Sequence, residues 1–410
     1  VAAPVTSPPL PGWKRLLFGV VCLVGVPLLL LVVLEGGSSL LLLVADLYRT
    51  PPQLTERPHT QYDTLLGWVN RPDFYDHDLY APGVYLRTNS QGFRNDHAIT
   101  PRVPPGRARA ICSGDSFTLG YGVDNDHTWC ALLEHRIHGL ETVNMGQGGY
   151  GADQAYLWYK RDAEHLDHHV QIFAVILEDF RRAARRSFQG FGKPVLRAVG
   201  DSLVVDNVPV PRWPYRMPRL AAYLAAKRPL LARLQIVQLE QGVWRRVTGS
   251  SVKAAEESDS AMWPVADRMF RDLARLNRSK HSTLVVVFLP IPVDWKDTGS
   301  DRLRRWLAEA APRDGYLFVD LVEEFRRLPS DSLDRLFLES HPHSHHGVVG
   351  HEWIAAQLSR RLLEVPGVAA VLASDGLLWT SRPDERLSHR RIRMQREAIP
   401  RHRRVGIGFQ

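Results

Sequence analysis

Cysteine is scarce. Only Cys22, Cys112 and Cys130 occur in 410 residues, which excludes a disulfide framework. No Cys/His spacing matches a structural zinc site either, so Cys112 and Cys130 read as small core residues. Charge is missing altogether from Leu16 to Leu34. At about 1.5 Å per residue that stretch nearly spans the hydrocarbon core of a bilayer. It lacks a clean Ala-x-Ala site after it and is longer than the apolar core of a cleaved signal, so an uncleaved anchor over residues 16–45 is expected. Lys14 and Arg15 precede the run while Glu35 and Asp46 follow. The positive-inside rule then puts residues 1–15 in the cytoplasm and the rest outside, as a single-pass membrane protein.

The bulk of the chain also lacks a net charge of one sign. Of the formal +8, the stretch from Arg382 to Arg404 supplies +6, with nine Arg against Asp384, Glu385 and Glu397. Residues 366–410 therefore form a basic, solvated tail with no specific partner assigned, and no nucleic-acid partner is expected. Residues 46–105 are short of periodicity and rich in Pro, Asn, Asp and Tyr. They read as an extended stalk or leader that then packs on the domain.

What is present is alternation. Strand patterns fall at Ala110–Ser113, Thr142–Met145, Val170–Leu177, Leu284–Leu289 and Tyr316–Val319. Helix patterns fall at Thr128–Ile137, Asp153–Ala163, Ala261–Leu276, Arg302–Ala311 and Gly347–Leu363. Such alternation predicts an α/β domain over residues 106–365, with five parallel strands in flavodoxin-like order covered on both faces as a three-layer sandwich. The rhythm breaks at residues 181–260, too long for an ordinary loop and therefore a lid or small subdomain. Arg181, Arg182, Arg185 and Arg186 open that insertion, where they would hold an anionic substrate or line a solvated face. A helical, basic stretch is expected from Leu220 to Arg246.

The first strand runs into Gly114-Asp115-Ser116 and delivers Ser116 at its carboxyl end, where open α/β sheets place their ligands. Ser116 is the candidate nucleophile; the alternative is a serine that merely caps the next helix. A second Gly-Asp-Ser, at Gly200-Asp201-Ser202, lies between two short apolar runs and is followed by Pro209 and Pro211, so it reads as a β-hairpin turn. Glycine is dense after the second strand, in Asn144-Met145-Gly146-Gln147-Gly148-Gly149-Tyr150-Gly151, which lets backbone N–H groups approach a ligand closely. Five imidazoles then cluster at His341, His343, His345, His346 and His351, ahead of and into the closing helix. The cluster is open to a metal reading, but no carboxylate or cysteine set elsewhere completes it, and no metal or cofactor is assigned.

The stretch from Ala110 to Val123 resembles the first block of the SGNH (GDSL-type) hydrolases. Tyr62-Asp63-Thr64-Leu65-Leu66-Gly67-Trp68 and Thr88-Asn89-Ser90-Gln91-Gly92-Phe93-Arg94 look like the leader of membrane-anchored bacterial members of that group. The resemblance implies an SGNH hydrolase fold and ester chemistry through an acyl-enzyme. It implies Ser116 as nucleophile and the N–H groups of Ser116 and Gly149 as oxyanion donors. His341, in His341-Pro342, would be the base, oriented by Glu339, with His343 as alternative base. It also exposes a departure. The family carries an Asn after the third strand whose side chain donates to the oxyanion, and Glu178 occupies that position. A carboxylate donates only when protonated. Either another donor fills the hole, or Glu178 turns away to pair with a nearby arginine, or hydrolysis has been lost. The expected substrate is a small-molecule or glycan ester, with O-acetyl as one acyl group. Transfer of acetyl groups on an envelope polysaccharide and non-catalytic glycan binding are the alternatives.

Overall fold

The computed structural model describes residues 11–48, 57–188, 191–210, 262–338, 345–365 and 368–370. At its centre is a parallel sheet of β1 (Ala108–Gly114), β2 (Leu140–Gly146), β3 (Val170–Val175), β4 (Thr283–Phe288) and β5 (Leu317–Asp320). The order across the sheet is β5-β4-β3-β1-β2, and every pairing is parallel. This is the flavodoxin-like arrangement that the strand and helix alternation predicts. The order reverses between β1 and β3, so the carboxyl ends of those two strands flank the crevice where such sheets bind ligands.

Period-2 geometry splits the core into two layers. Ile111, Val143, Phe173, Val286 and Phe288 face one side, against α3 (Ala152–Trp158) and α5 (Trp263–Ser279). Ala110, Cys112, Ile172, Val285 and Val287 face the other, against α2 (Trp129–Arg136) and α8 (Val348–Leu362). Four further helices complete the order used below: α1 (Ser116–Leu119), α4 (Leu177–Ala183), α6 (Asp301–Asp314) and α7 (Leu321–Arg326), the last following β5. Cys112 and Cys130 are buried free thiols within the second layer.

The N-terminal segment is helical from Gly12 to Tyr48, with one π-helical turn at Val21–Gly25 just before Pro27. Proline has no N–H to give, and a wider turn accommodates that gap. Within Gly12–Leu41 the most apolar 18-residue window has a mean hydropathy of 3.0, and none of that window is buried in the protein. By length and composition this helix can cross a membrane.

The leader is more folded than the expected extended stalk. Thr60–Asp63 pairs antiparallel with Gly67–Asn70, and Tyr75–Ala81 with Val84–Arg87. Its polar residues are buried because they bond backbone that would otherwise go unpaired. Asn89 Oδ1 accepts from the N–H groups of Gln91 and Phe93 at 2.9 and 3.0 Å. Arg94 donates to the carbonyls of Leu119, Gly120 and Val123, each at 2.6 Å.

In the insertion, Val195–Val199 pairs with Ser202–Asp206 as an antiparallel hairpin. The Gly200-Asp201-Ser202 copy is thus a hairpin turn, as its sequence context predicts. The expected helical stretch at 220–246 and the basic tail lie outside the described residues.

Candidate active site

The β1–α1 junction is built to present one side chain. Asp115 caps α1, its Oδ1 accepting from Phe117 N–H at 2.9 Å, which leaves Ser116 as the first residue of the helix. Gly114 serves this junction through close packing, since its φ is not positive. A Cβ there would lie 2.8 Å from the Ala174 carbonyl oxygen and against Thr118. Ser116 is only 4% exposed.

The imidazole that reaches this hydroxyl is His345. Ser116 Oγ and His345 Nε2 are 2.8 Å apart, the separation of a nucleophile donating to its general base. The His345 ring is held between aromatic neighbours, nearly parallel to Phe117 at a centroid distance of 4.7 Å and tilted against Tyr121 at 4.7 Å. Its backbone is held as well, because Leu338 N–H donates to His345 O at 2.9 Å and His346 bridges to Phe337. The sequence reading put the base at His341, with Glu339 to orient it and His343 in reserve; all three lie outside the described residues. Among the described residues His345 is the imidazole within reach of Ser116, and the His-Pro resemblance does not single it out. Position relative to the closing helix was the available signal, since His345 stands two residues before the Gly347 cap of α8.

The neighbouring histidines have other tasks. His346 is buried between Phe337 and Phe117, with centroid distances of 4.9 and 5.3 Å, and burial pushes its pKa down to about 3. His351, on α8, accepts from Trp129 N–H through Nδ1 at 3.1 Å, and burial holds it well below the usual imidazole range. Both are neutral packing residues.

Gly149 follows β2 in the glycine-rich turn with φ +75°, a conformation that favours glycine, and a Cβ there would lie 2.7 Å from Phe188 Cδ1. The turn is moored to the leader. Trp68 Nε1 donates to Gly148 O at 2.9 Å, Tyr150 OH to Trp68 O at 2.6 Å, and Gln147 Nε2 to Asn70 Oδ1 at 2.7 Å.

Glu178 lies in the first turn of α4, one-third exposed, with Oε1 3.3 Å from Arg185 Nη1. Of the outcomes open for this position, the geometry is that of a carboxylate paired with an arginine. Arg182, next along, is spent on buried carboxylates. Its Nη1 lies 3.0 Å from Asp115 Oδ2 and 3.1 Å from Asp179 Oδ1. Burial, with the Asp115 charge nearby, pushes the Asp179 carboxyl well above the usual range. Of the arginines that open the insertion, Arg182 is taken up by the buried Asp115 and Asp179, and Arg185 is half-exposed beside Glu178.

No family model and no curated protein matches the chain. Solved structures do. The chain is similar to lipolytic and acetyl-ester-cleaving enzymes. A member of the lipolytic protein G-D-S-L family from Veillonella parvula matches at 12% identity over 62% of this chain and 100% of its own, with a TM-score of 0.35. A lipase/acylhydrolase from Enterococcus faecalis matches at 12% identity over 62% and 95%, TM-score 0.33. An acetylxylan esterase from Geobacillus stearothermophilus matches at 13% identity over 63% and 94%, TM-score 0.34.

Proposed function

We propose that the protein is a serine-dependent ester hydrolase of the SGNH type, acting outside the cytoplasm on an acyl ester such as an O-acetyl group of a glycan. The observation that carries this reading is the 2.8 Å approach of Ser116 Oγ to His345 Nε2 at the carboxyl end of β1. His345 Nε2 takes the Ser116 proton as Oγ attacks the ester carbonyl, and the C=O electrons move onto the oxyanion. The N–H groups of Ser116 and Gly149 receive that charge. The tetrahedral species collapses with loss of the alcohol, which takes the proton back from His345. Water then repeats the sequence on the acyl-enzyme, with the same histidine as base. Glu339, the nearest acid upstream of His345 in sequence, is the proposed orienter. Glu178, neutralised by Arg185, contributes no donor. Removing one donor from such a hole typically slows the reaction about a hundred- to a thousandfold, so slow turnover is expected rather than none. The extracytoplasmic placement is supported by Lys14 and Arg15 preceding the apolar helix.

The test is turnover of a chromogenic acetyl ester by the full chain in detergent, with intact-mass detection of the acyl-enzyme. The reading predicts a covalent acetyl adduct on Ser116 that water discharges, with activity lowered at least about a thousandfold in Ser116→Ala. An adduct that forms but persists until a glycan is added would move the assignment from hydrolysis to transfer. Equal turnover by Ser116→Ala would end it.

A further inference from the structure

The groups that would surround the oxyanion come from three separate junctions: the Ser116 donor after β1, the Gly149 donor after β2, and Glu178, which supplies no donor, after β3. Backbone pairing joins the first two, with Gly114 opposite Gly146 and Gln147 N–H donating to Gly114 O at 3.3 Å. One side chain joins all three. Arg182 Nη1 reaches Asp115 Oδ2 at 3.0 Å, the Tyr150 carbonyl oxygen at 3.1 Å and Asp179 Oδ1 at 3.1 Å. Each of these partners belongs to a different junction. The other oxygen of Asp115 caps Phe117 N–H at the nucleophile turn, at 2.9 Å. The other oxygen of Asp179 accepts from Ile176 N–H at 2.9 Å, where β3 ends. Tyr150 directly follows Gly149. The guanidinium also lies 5.1 Å over the ring of Phe188, whose edge packs against Gly149 and whose other neighbour is Trp68 of the leader.

We propose that Arg182 is a positioning residue, which sets the spacing of the Ser116 and Gly149 N–H donors by clamping the three loop junctions together. The proposal rests on the ester-hydrolase reading above. Its physical content is that Glu178 leaves the hole with two backbone donors, and two donors work only at hydrogen-bond distance from the position the oxyanion takes. All three contacts converge on one nitrogen, Nη1, while the guanidinium plane is seated over the Phe188 ring, a seat that an ammonium on a flexible stem does not reproduce. Misplacement of reacting groups by about 1 Å costs on the order of a hundredfold in rate.

The test uses the full chain in detergent with a fluorophosphonate ester, resolving the maximal phosphonylation rate from the reversible affinity, beside thermal unfolding of each variant. Arg182→Lys keeps the charge, so that Asp115 and Asp179 are not left with no cation. The expected result is a maximal rate lowered by about ten- to a hundredfold, with affinity within about twofold of the parent, measured well below the variant's melting temperature. Asp115→Asn, which keeps the Phe117 cap while losing the charge that Arg182 holds, is expected to show the same split; it decides the matter if Arg182→Lys does not fold. A folded variant that reacts at the parent's maximal rate would overturn the proposal, because a purely structural clamp changes melting and leaves the rate alone. Lost affinity at unchanged maximal rate would also overturn it, making Arg182 a ligand contact. Failure of the parent itself to label at Ser116 is a separate result and overturns the hydrolase reading.

Discussion

At the residue scale, the site turns on which imidazole is charged and when. His346 is next to the base in sequence yet is kept neutral by burial, with its pKa near 3. The unfolded chain binds a proton there below about pH 6.5 and the folded chain does not, so this group adds stability that is present above 6.5 and lost as pH falls toward 3. Replacing it by Phe in His346→Phe, which keeps a ring between Phe337 and Phe117, removes one such proton. The dependence of unfolding free energy on pH between 6.5 and 5 should then become shallower by about 1.4 kcal/mol per pH unit. Denaturant titrations of the full chain at pH 7 and pH 5 measure this directly, and an unchanged slope would count against it. The same residue shows what a sequence reading resolves. Ser116 was legible because a strand, a Gly-Asp-Ser turn and a helix start coincide at one place. The imidazole beside it was not, because His341, His343, His345 and His346 crowd one stretch ahead of α8 and only the folded geometry shows that His345 reaches Ser116.

At the element scale, the insertion that follows α4 is fastened to the body by a buried ion pair. Lys193 Nζ lies 2.5 Å from Asp153 Oδ2 of α3, and both side chains are fully buried. Burial raises the Asp153 carboxyl and lowers the Lys193 ammonium. Both directions say that desolvation opposes the charges, so the pair is sensitive to losing one member and tolerant of losing both. Lys193→Met is expected to destabilise the protein by about 3–5 kcal/mol, and adding Asp153→Asn to recover most of it. A double variant as unstable as the single one would show that the pair itself is a strong stabiliser. The order of strands and helices was readable from periodicity, and so was the hairpin around Gly200. The leader was not. Its Asn, Trp and Arg residues have no period, and they are buried because they satisfy the backbone of the Gly149 turn and the end of α1.

At the scale of the whole molecule, an α/β domain shares its chain with a helix apolar enough to cross a bilayer, and the leader between them bonds to the Gly149 turn and the end of α1. With Lys14 and Arg15 ahead of the helix, a phosphatase reporter that works only outside the cytoplasm should be active when fused after Gln410; an expressed but inactive fusion would reverse the orientation. The central claim is that Ser116 is a nucleophile activated by His345. The most direct measurement is intact-mass analysis of the full chain after exposure to a fluorophosphonate ester, with Ser116→Ala, Ser202→Ala, His341→Ala and His345→Ala in parallel. The account predicts one adduct in the parent, in Ser202→Ala and in His341→Ala, none in Ser116→Ala, and labelling slowed at least about a hundredfold in His345→Ala. Labelling of Ser116→Ala, or labelling of His345→Ala at the parent's rate, would contradict it.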